Sequence, residues 1–592
     1  MKTLDPILTK VLWNRLISIV DEASTGLVRS CYSINLRDYH DYCIGIFDPA
    51  GNMLVHSTDT TPGFIGMMPV VMKNFLARYP IETIADGDVL ATNDPWLATG
   101  HLPDISMAAP IFHEGVLVGF AVCVAHHLDI GGRMACIESR DMYEEGLKIP
   151  MVKLYEAGRR NDLVFEFLRA NVRVSHQVIG DVNAQLVATS MCAAGLRKMI
   201  REYGFQDLSL LASTIMGLAE KSMRRQIRAI PNGVYRNAVR LPPLRAGSTP
   251  IDIVVAIEVK DEELVVDYTG SSGEVELAVN MTMPFTIAYT TYPIKVAFDP
   301  EVPNNAGCLA PIRVIAPEGS VFNCRPPAPT WGRAMIAHNL PEIIFGALAD
   351  AIPERMVAAS GSTPLHMFYF NGRKRSGEEF LTLTSHMGGF GASAQHDGYS
   401  AMSFPYNIAS IPIEAVETET CVLYERKGLV PDTAGAGRRR GGFGQEVVIT
   451  VPDDDHAPLK PIAASIRGTD RSPQSVQPIL GRCGGSPGAG AHLSINGQPQ
   501  PYNAAVKFAP GDVIRLVVPG GGGFGDPFER EPERVRKDVR AGLVTQQSAA
   551  QEYGVVLTDA LAVDEAATSA LRSQRMGAGE TPTSRQEPVA TA

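Results

Sequence analysis

The sequence predicts an α+β fold with a mixed α/β N-terminal region, a β-rich and glycine-rich region, and a short helical C-terminus. Three observations predict it. Helical apolar patterns are frequent in the first 230 residues, strand-like runs interrupted by glycine follow, and charged helical patterns return near the end. The predicted division is an α/β domain at 1–230, a β-rich domain at 231–530, C-terminal helices at 531–572 and a disordered tail at 573–592.

The N-terminal elements follow from capping and turn signals. Asp5 and Pro6 form a cap and first-turn pair, so an opening helix should run to about Gly26. Pro231-Asn232-Gly233 is a turn signal that marks the end of the first domain. The other predicted elements that bear on the argument are helices at 66–78, 181–203, 207–227 and 332–352, and a hairpin of strands 251–259 and 264–269.

Composition excludes several function classes. With 592 residues, 45% of them apolar and 20% charged, the chain has the make-up of an ordinary globular protein that can bury large cores. The net charge of −11 argues against non-specific nucleic-acid binding. We find no apolar run long enough to span a bilayer and no signal-peptide pattern at the start. Nine scattered cysteines without a CxxC pair fit reduced thiols, so we expect a cytoplasmic protein.

The stretch from Asn93 to Asp129 concentrates side chains that bind metals. Two β-branched apolar runs, 105–112 and 116–124, flank His113-Glu114-Gly115 and predict a hairpin with a three-residue turn. Pairing Phe112 with Val116 would place Asp104 opposite Val124. His126 would then be its diagonal neighbour on the same face, at a backbone distance of roughly 7–8 Å.

His101 completes a possible three-ligand metal site. It lies three residues before Asp104 and beyond Pro103, which cannot donate to a strand ladder and frees the chain to turn back. Two imidazoles and a carboxylate would leave a coordination position open for water or substrate, as in catalytic sites. The alternative is structural: His126 and His127 end a strand, and Asp104 bonds nearby backbone. Asp41, at the entry to a strand, is either a turn-former or a fourth ligand.

Two glycine-rich stretches, 435–442 and 519–526, invite comparison with nucleotide-binding loops. Neither contains the Gly-Lys-Ser/Thr of a P-loop, and the second is not followed at once by a helix with the dinucleotide signature. Tight backbone packing or a subunit contact explains them better than ATP binding. The run Arg438, Arg439 and Arg440 is a possible phosphate or carboxylate site, although such runs more often form solvated or interface surfaces.

Several ordered motifs together resemble the hydantoinase B/oxoprolinase family. They are NDPW (93–96), GHLPDI (100–105), HHLDIGG (126–132), EEGLKIP (144–150), PNNAGCLAPI (303–312), GRRRGGFG (437–444) and PGGGGFGDP (519–527). The resemblance extends from about residue 5 to 557. The family includes the B subunit of ATP-dependent N-methylhydantoinase and part of 5-oxoprolinase, with related subunits in caprolactamase and in acetone and acetophenone carboxylases.

The resemblance implies a division of labour between two subunits. A hydantoinase A-type partner would bind ATP and phosphorylate a substrate oxygen, while the B-type chain would carry the metal and complete the reaction. It also implies metal ligands at Asp41, His101, Asp104 and His126. The segment 97–100 departs from the Gly-Gly-Thr that often precedes the histidine in the family. The segment 133–143 also differs, so substrate contacts there are not carried over.

The expected function is therefore that of the metal-bearing subunit of an ATP-dependent hydrolase opening a cyclic amide or imide of the hydantoin, oxoproline or lactam type. Phosphorylation would activate the carbonyl, and a water polarised by Zn²⁺ or Mn²⁺ would attack it. His127 and Asp129 are the candidates for orienting ligands or transferring protons. An ATP-dependent ketone carboxylase subunit is the enzymatic alternative. A scaffold subunit with a structural metal site is the non-catalytic one.

Overall fold

The computed structural model describes residues 4–133 and 136–577, and this part of the chain forms two compact units. The first comprises Met1–Tyr235, Ala256–Leu340 and Tyr406–Ile411. The second comprises Arg236–Val255, Pro341–Pro405 and Pro412–Ala592. The chain first passes from one unit to the other after Tyr235, close to the predicted boundary at 230. The predicted β-rich domain at 231–530 is not a single unit, because 256–340 belongs to the first unit, where helix 283–298 packs on helix 62–78.

The α+β fold class is confirmed by the mixture of helices and several sheets. The helices are α1 (Pro6–Ser30), α2 (Ile34–Arg37), α3 (Pro62–Arg78), α4 (Asp162–Asn171), α5 (Ser175–Tyr203), α6 (Ser209–Arg228), α7 (Met283–Phe298), α8 (Ala306–Leu309), α9 (Ala334–Ala337), α10 (Leu340–Leu348), α11 (Ile413–Glu419), α12 (Pro532–Arg540), α13 (Gln546–Tyr553) and α14 (Glu565–Gly577). The strands are β1 (Tyr42–Phe47), β2 (Met53–His56), β3 (Val89–Thr92), β4 (Asp104–His113), β5 (Val116–His126), β6 (Val152–Glu156), β7 (Arg159–Arg160), β8 (Gly233–Leu241), β9 (Ile251–Lys260), β10 (Glu263–Asp267), β11 (Ile312–Ile315), β12 (His366–Arg373), β13 (Glu379–His386), β14 (Leu423–Leu429), β15 (Gln445–Thr450), β16 (Ile462–Arg467), β17 (His492–Ile495), β18 (Gln498–Pro499), β19 (Ala505–Phe508) and β20 (Val513–Val517).

A seven-stranded antiparallel sheet organises the first unit, in the order β2-β1-β5-β4-β3-β6-β7. Strand β5 is buried continuously from Val118 to His126, the burial expected of a strand covered on both faces. Helix α5 packs against β4 and β5, and α1 packs against α5. The neighbouring ends of β4 and β5 carry the candidate metal ligands.

The β4–β5 hairpin confirms the predicted pairing of these two strands and corrects its register. Glu114 and Gly115 both have positive φ, which gives a two-residue turn of the type that matches strand twist. The register also shifts between Ile111 and Phe112, so the predicted three-residue turn and its register are wrong. Asp104 therefore lies directly opposite His126 rather than diagonal to it, which brings the two side chains closer on one face.

Several predicted helices have different ends. Asp181, the predicted start of this helix, lies six residues inside α5. Its carboxylate instead accepts backbone N–H groups of Tyr32 and Ser33 at 2.7 and 3.1 Å. The single helix predicted at 332–352 is divided into α9 and α10, since Pro341 lacks the N–H that a continuous helix needs. Helix α14 continues to Gly577, so the prediction of a disordered tail is wrong for 573–577. Residues 578–592 lie outside the described part.

The second unit contains a sheet β13-β12-β16-β19, a sheet β14-β15-β20-β17-β18, and the helices α12, α13 and α14. Strands β8, β9, β10 and β11 form a further four-stranded sheet. The unit boundaries after Tyr235 and Val255 fall within β8 and β9. The strand-rich character predicted for this part of the sequence is therefore observed. None of the described helices is long and apolar enough to cross a lipid bilayer.

The glycine-rich stretches pack against one another in the second unit as extended segments outside the named strands. We call the segments 388–392, 435–444, 481–488 and 519–525 the glycine bundle. Gly521 donates to the Gly442 carbonyl at 2.9 Å and accepts from Gly435 at 2.8 Å, and Gly389 donates to Pro519 at 2.9 Å. A Cβ at Gly441 would lie 1.9 Å from the Gly521 oxygen, closer than atoms can approach. The sequence-based interpretation of tight backbone packing is confirmed.

Candidate metal centre

Three buried side chains meet where β4 begins and β5 ends. Asp104 is the first residue of β4 and His126 the last of β5, and His101 comes from the turn just before β4. One ligand atom from each residue lies within 4.8 Å of the corresponding atoms of the other two. His101 and His126 are each 5% exposed, and Asp104 is fully buried. The structure thus brings together the three residues that the hairpin argument selected.

Asp104 is the electrostatic centre of the group. Its Oδ1 lies 2.8 Å from Nε2 of His101 and 2.7 Å from Nδ1 of His126, while Oδ2 accepts a hydrogen bond from Arg333 at 2.8 Å. Burial alone would raise the pKa of Asp104. The neighbouring His101, the charge of Arg333 and the hydrogen bond from His126 outweigh burial and hold that pKa well below its usual range. Asp104 is therefore a carboxylate, the form that binds metals.

His101 provides the test of whether a metal fits. Its Nδ1 lies 3.3 Å from the Trp331 carbonyl oxygen, and a proton on Nδ1 would satisfy that acceptor and leave the Nε2 lone pair for a metal. Burial, followed by the charge of Arg333, lowers the pKa of His101 to about 3, so the ring is neutral. In that tautomer the Nε2 lone pair lies 2.8 Å from Oδ1 of the Asp104 carboxylate. Two acceptors this close repel each other unless a cation lies beside them.

The donor set agrees with that test. The Asp104 carboxylate accepts the Nδ1–H of His126, which leaves the lone pair of this ring on Nε2. Imidazole nitrogens and a carboxylate oxygen, without a thiolate, suit Zn²⁺ or Mn²⁺. The residues present therefore fit a divalent cation.

Asp41 lies beside this triplet without belonging to it. Its buried carboxylate accepts hydrogen bonds from the Thr61 and Tyr406 hydroxyls, both at 3.1 Å, and its backbone carbonyl accepts from the His126 amide. Burial raises the pKa of Asp41 to about 6, partly opposed by the charge of His126. Its role as a fourth ligand remains a prediction from the family resemblance.

Arg333 and its surroundings were not found from the sequence. Its Nε donates to the Thr99 carbonyl at 3.1 Å, and its guanidinium lies 4.0 Å from the centre of the Phe285 ring. Gly100 has a φ of +87°, and a Cβ there would lie 3.0 Å from Arg333 Nε and from Phe285. Gly100, immediately before His101, thus leaves room for Arg333 to approach. The residues before Gly100 depart from the family pattern, but they do not prevent this approach.

Glu145 supports the centre from behind. Its carboxylate accepts backbone N–H groups of Thr330 and Trp331 at 2.7 and 2.9 Å, and Trp331 is the residue whose carbonyl orients His101. Burial raises the pKa of Glu145 to about 7 in spite of these donors. Glu145 is thus a buried acid, although paired acids in a loop are usually solvated. Glu144 is half-buried and pairs with Arg133 and Arg140.

The two residues predicted to be catalytic do not join the triplet. His127 comes just after the end of β5 and faces the other side. Its Nε2 lies 3.0 Å from Gln185 of α5, while its amide donates to the Pro103 carbonyl. Asp129 accepts from the amides of Gly131 and Val174 and from both the amide and the guanidinium of Arg173. Such a fully engaged carboxylate anchors loops, so we assign it no proton transfer.

The missed residues share a cause. Arg333 and Trp331 come from a segment about 230 positions after His101, and Tyr406 is more distant still. No local spacing connects such segments. Only the motif EEGLKIP, already part of the resemblance, drew attention to Glu145.

The chain belongs to the hydantoinase B/oxoprolinase family, whose model matches residues 5–527. It is 30% identical to the beta subunit of the caprolactamase of Pseudomonas jessenii, with 97% of this chain and all of that protein covered. It is also 30% identical to the provisionally named B subunit of the D-/L-hydantoinase of Pseudomonas sp. (strain NS671), with 97% and 98% covered. The 5-oxoprolinase of Dictyostelium discoideum is 26% identical, and this chain covers 40% of its length.

Solved structures agree with the family assignment. The crystal structure of the ATP-dependent caprolactamase from Pseudomonas jessenii superposes with a TM-score of 0.86 at 28% identity, over 97% of this chain and 100% of that one. The nucleotide-free structure of acetone carboxylase superposes with a TM-score of 0.85 at 20% identity, over 98% and 84%. The second likeness shows a shared fold. The family is thus one of subunits of ATP-dependent amide hydrolases.

Proposed function

We propose that this chain is the metal-bearing subunit of an ATP-dependent hydrolase that opens a cyclic amide or imide of the hydantoin, oxoproline or lactam type. The observation that carries the proposal is the His101–Asp104–His126 triplet, in which two buried imidazoles and a buried carboxylate bring their ligand atoms within 4.8 Å of one another. Asp41 is proposed as the fourth ligand. A divalent Zn²⁺ or Mn²⁺ held here would supply Lewis acidity to a carbonyl or water oxygen.

In this proposal a hydantoinase A-type partner binds ATP and transfers a phosphoryl group to the amide oxygen. Water then adds to the activated carbon, and the C–N bond breaks as the nitrogen gains a proton. A second water releases inorganic phosphate from the resulting acyl phosphate. These steps consume one ATP and leave the ring-opened amino acid, ADP and phosphate.

The residues of this chain prepare the site for that chemistry. The Trp331 carbonyl fixes the proton of His101 on Nδ1, so that Nε2 can bind a metal. Arg333 holds Asp104 ionised and in place through a 2.8 Å hydrogen bond. Glu145 fixes the backbone on which Trp331 depends. Preorganisation of this kind spares reorganisation during the reaction.

The partner follows from the same proposal. Many backbone N–H groups of the glycine bundle donate to carbonyls of neighbouring segments, so the packing of the bundle uses groups that a phosphate cradle would need. ATP must then be bound elsewhere, in a second protein that forms a stable hetero-oligomer with this chain.

The test is to co-purify this chain with an A-type partner and measure metal content and ATP hydrolysis across hydantoins, lactams and ketones. We expect bound metal and substrate-dependent ATP hydrolysis with a cyclic amide. Turnover of a ketone only when bicarbonate is present would identify a carboxylase instead. Full activity of the complex after chelation, with its assembly intact, would contradict a catalytic role for the site.

A further inference from the structure

A buried tyrosine hydroxyl near the candidate metal centre has no partner. Tyr289 of α7 is 1% exposed, and its hydroxyl makes no hydrogen bond to any residue that the structure describes. Leaving a buried hydroxyl unbonded costs free energy, so native proteins rarely keep one without a function or a bound partner. Neither the family motifs nor the proposed function uses this residue.

Packing fixes the ring of Tyr289 beside the centre. A Cβ at Gly63 of α3 would lie 2.7 Å from the ring, so glycine there gives the aromatic ring its place. The ring centroid lies 4.7 Å from that of Phe285 and 5.8 Å from that of His338. A Cβ at Gly63 would also lie 3.3 Å from the Tyr289 hydroxyl, and Thr61, two residues before Gly63, donates to Asp41 at 3.1 Å, so the hydroxyl lies on the side of α3 that borders the centre.

Arg333 offers a second donor at the same place. Phe285 carries the Arg333 guanidinium on its face and contacts the Tyr289 ring, so one aromatic side chain positions both groups. Two guanidinium nitrogens are occupied, Nε by the Thr99 carbonyl and Nη2 by Asp104. No acceptor for Nη1 is found in 4–133 and 136–577. Guanidinium groups bind phosphate and carboxylate oxygens well.

The charges of the centre predict when an anion would bind. Asp41 and Asp104 together carry two negative charges, which Arg333 alone does not balance. A divalent cation in the triplet leaves one net positive charge in a buried setting, where electrostatic attraction is strong. Anion binding at Arg333 and Tyr289 should therefore depend on the metal.

We propose that Arg333 and Tyr289 form the anion-binding half of this centre and hold the phosphoryl group of the activated substrate, and afterwards inorganic phosphate. The inference rests on the proposed function, in which the substrate arrives phosphorylated. Tyr289 donates its O–H to one phosphoryl oxygen, and Arg333 donates through Nη1 to another. Two fixed donors that meet a charged oxygen group without rearrangement give the affinity.

The experiment measures binding of inorganic phosphate to the full chain by calorimetry, with and without Zn²⁺ or Mn²⁺, after metal stoichiometry has been determined. We expect binding only to the metal-loaded chain. Sulfate and acetate are compared in parallel, and acetate should bind more weakly because it has fewer oxygens to share between the two donors. Phosphorus NMR with Mn²⁺ gives an independent readout, since a nearby paramagnetic ion broadens the phosphate signal.

Variants separate this inference from the proposed function. Tyr289→Phe should keep full metal content and lose roughly tenfold in phosphate affinity, the effect of a hydrogen bond to a charged group. Arg333→Lys, which keeps the charge without the fork, should also weaken phosphate binding. Tyr268→Phe is the matched control, because that buried hydroxyl is bonded to Thr290 instead, at 2.7 Å.

Each result of these measurements supports or overturns the inference. Weaker phosphate binding in Tyr289→Phe, with unchanged binding in Tyr268→Phe, supports the inference. Equal phosphate affinity in the wild type and Tyr289→Phe, or a metal-loaded chain that binds no phosphate, overturns the inference and leaves the metal proposal standing. A chain that binds no metal overturns both.

Discussion

The candidate metal centre and the glycine bundle build order in opposite ways. In the centre, buried polar side chains hold one another through short contacts, as between Asp104 and His126 at 2.7 Å. In the bundle, order depends on side chains being absent, because carbonyls occupy the space that a Cβ would need. Both regions appear in the sequence as dense motifs. A glycine-rich motif can therefore be required for packing, whereas packing alone does not explain the arrangement of the His/Asp motif.

The largest expected effect is on the bundle. Gly389→Ala should prevent the second unit from folding or cost roughly 4 kcal/mol or more, because the new Cβ would lie 1.9 Å from the Gly442 oxygen. The control is Gly428→Ala in β14, where a Cβ meets nothing within 4 Å and the effect should stay within about 0.5 kcal/mol. Chemical unfolding of both variants is the measurement. Equal midpoints for the two would contradict this view of the bundle.

The next effect concerns the triplet. Replacing His101, Asp104 or His126 by Ala should remove or misplace the ion and lower turnover by orders of magnitude, since two remaining ligands rarely hold a divalent metal in catalytic geometry. The fold should survive, because its cores do not depend on one ion. Elemental analysis and turnover of the reconstituted complex measure this, with His113→Ala at the other end of β4 as control. Full metal occupancy and wild-type rate in His126→Ala would show the assignment to be wrong.

A smaller effect is expected for His127→Ala, about 10–100-fold in turnover. His127 contacts Gln185, which also donates to the Ile105 carbonyl at 2.9 Å, so its loss should loosen the start of β4 without removing a ligand. Metal affinity and turnover should fall together. A loss as large as that of His126→Ala would place His127 in the centre itself.

Glu145 gives a pH-dependent effect on stability. Its pKa rises from 4.5 to about 7 in the folded chain because of burial, so between these values the folded protein keeps a proton that the unfolded chain has released. Stability should therefore fall as pH rises from about 4.5 to 7, by roughly 1–3 kcal/mol from this group. Glu145→Gln should lack that slope. Urea midpoints at pH 5 and 7.5 test it, and parallel profiles for both proteins would refute the assignment.

The last prediction is that adding ATP to the isolated chain has no measurable effect. The isolated chain should neither bind ATP tightly nor hydrolyse it, because the glycine bundle uses many of its N–H groups internally and carries no phosphate-binding lysine in the required place. Arg440 of the arginine run is paired with Asp538 at 3.0 Å. Calorimetry with ATP and Mg²⁺ is the test. Stoichiometric binding would show that a motif we assign to packing also serves a nucleotide.

Sequence reasoning succeeded where the determining interactions are local. The hairpin, the shared face of Asp104 and His126, and the turn that brings His101 back all depend on residues within one 26-residue stretch. The register was wrong because the turn type and the bulge near Phe112 depend on positive φ and strand twist, which the residue pattern does not specify uniquely. The face was still correct, because the error moved the pairing by two residues in total and side chains alternate with a period of two.

By itself, therefore, the sequence determined the fold class, the family, the His101–Asp104–His126 group and the packing role of the glycines. Only the tertiary structure decided that 256–340 returns to the first unit and that Arg333, Trp331, Glu145 and Tyr406 surround the centre. It also decided that Asp129 anchors loops. The physical reason is that contacts between segments hundreds of residues apart are selected by the packing of whole elements, and no periodicity or spacing along the chain encodes them.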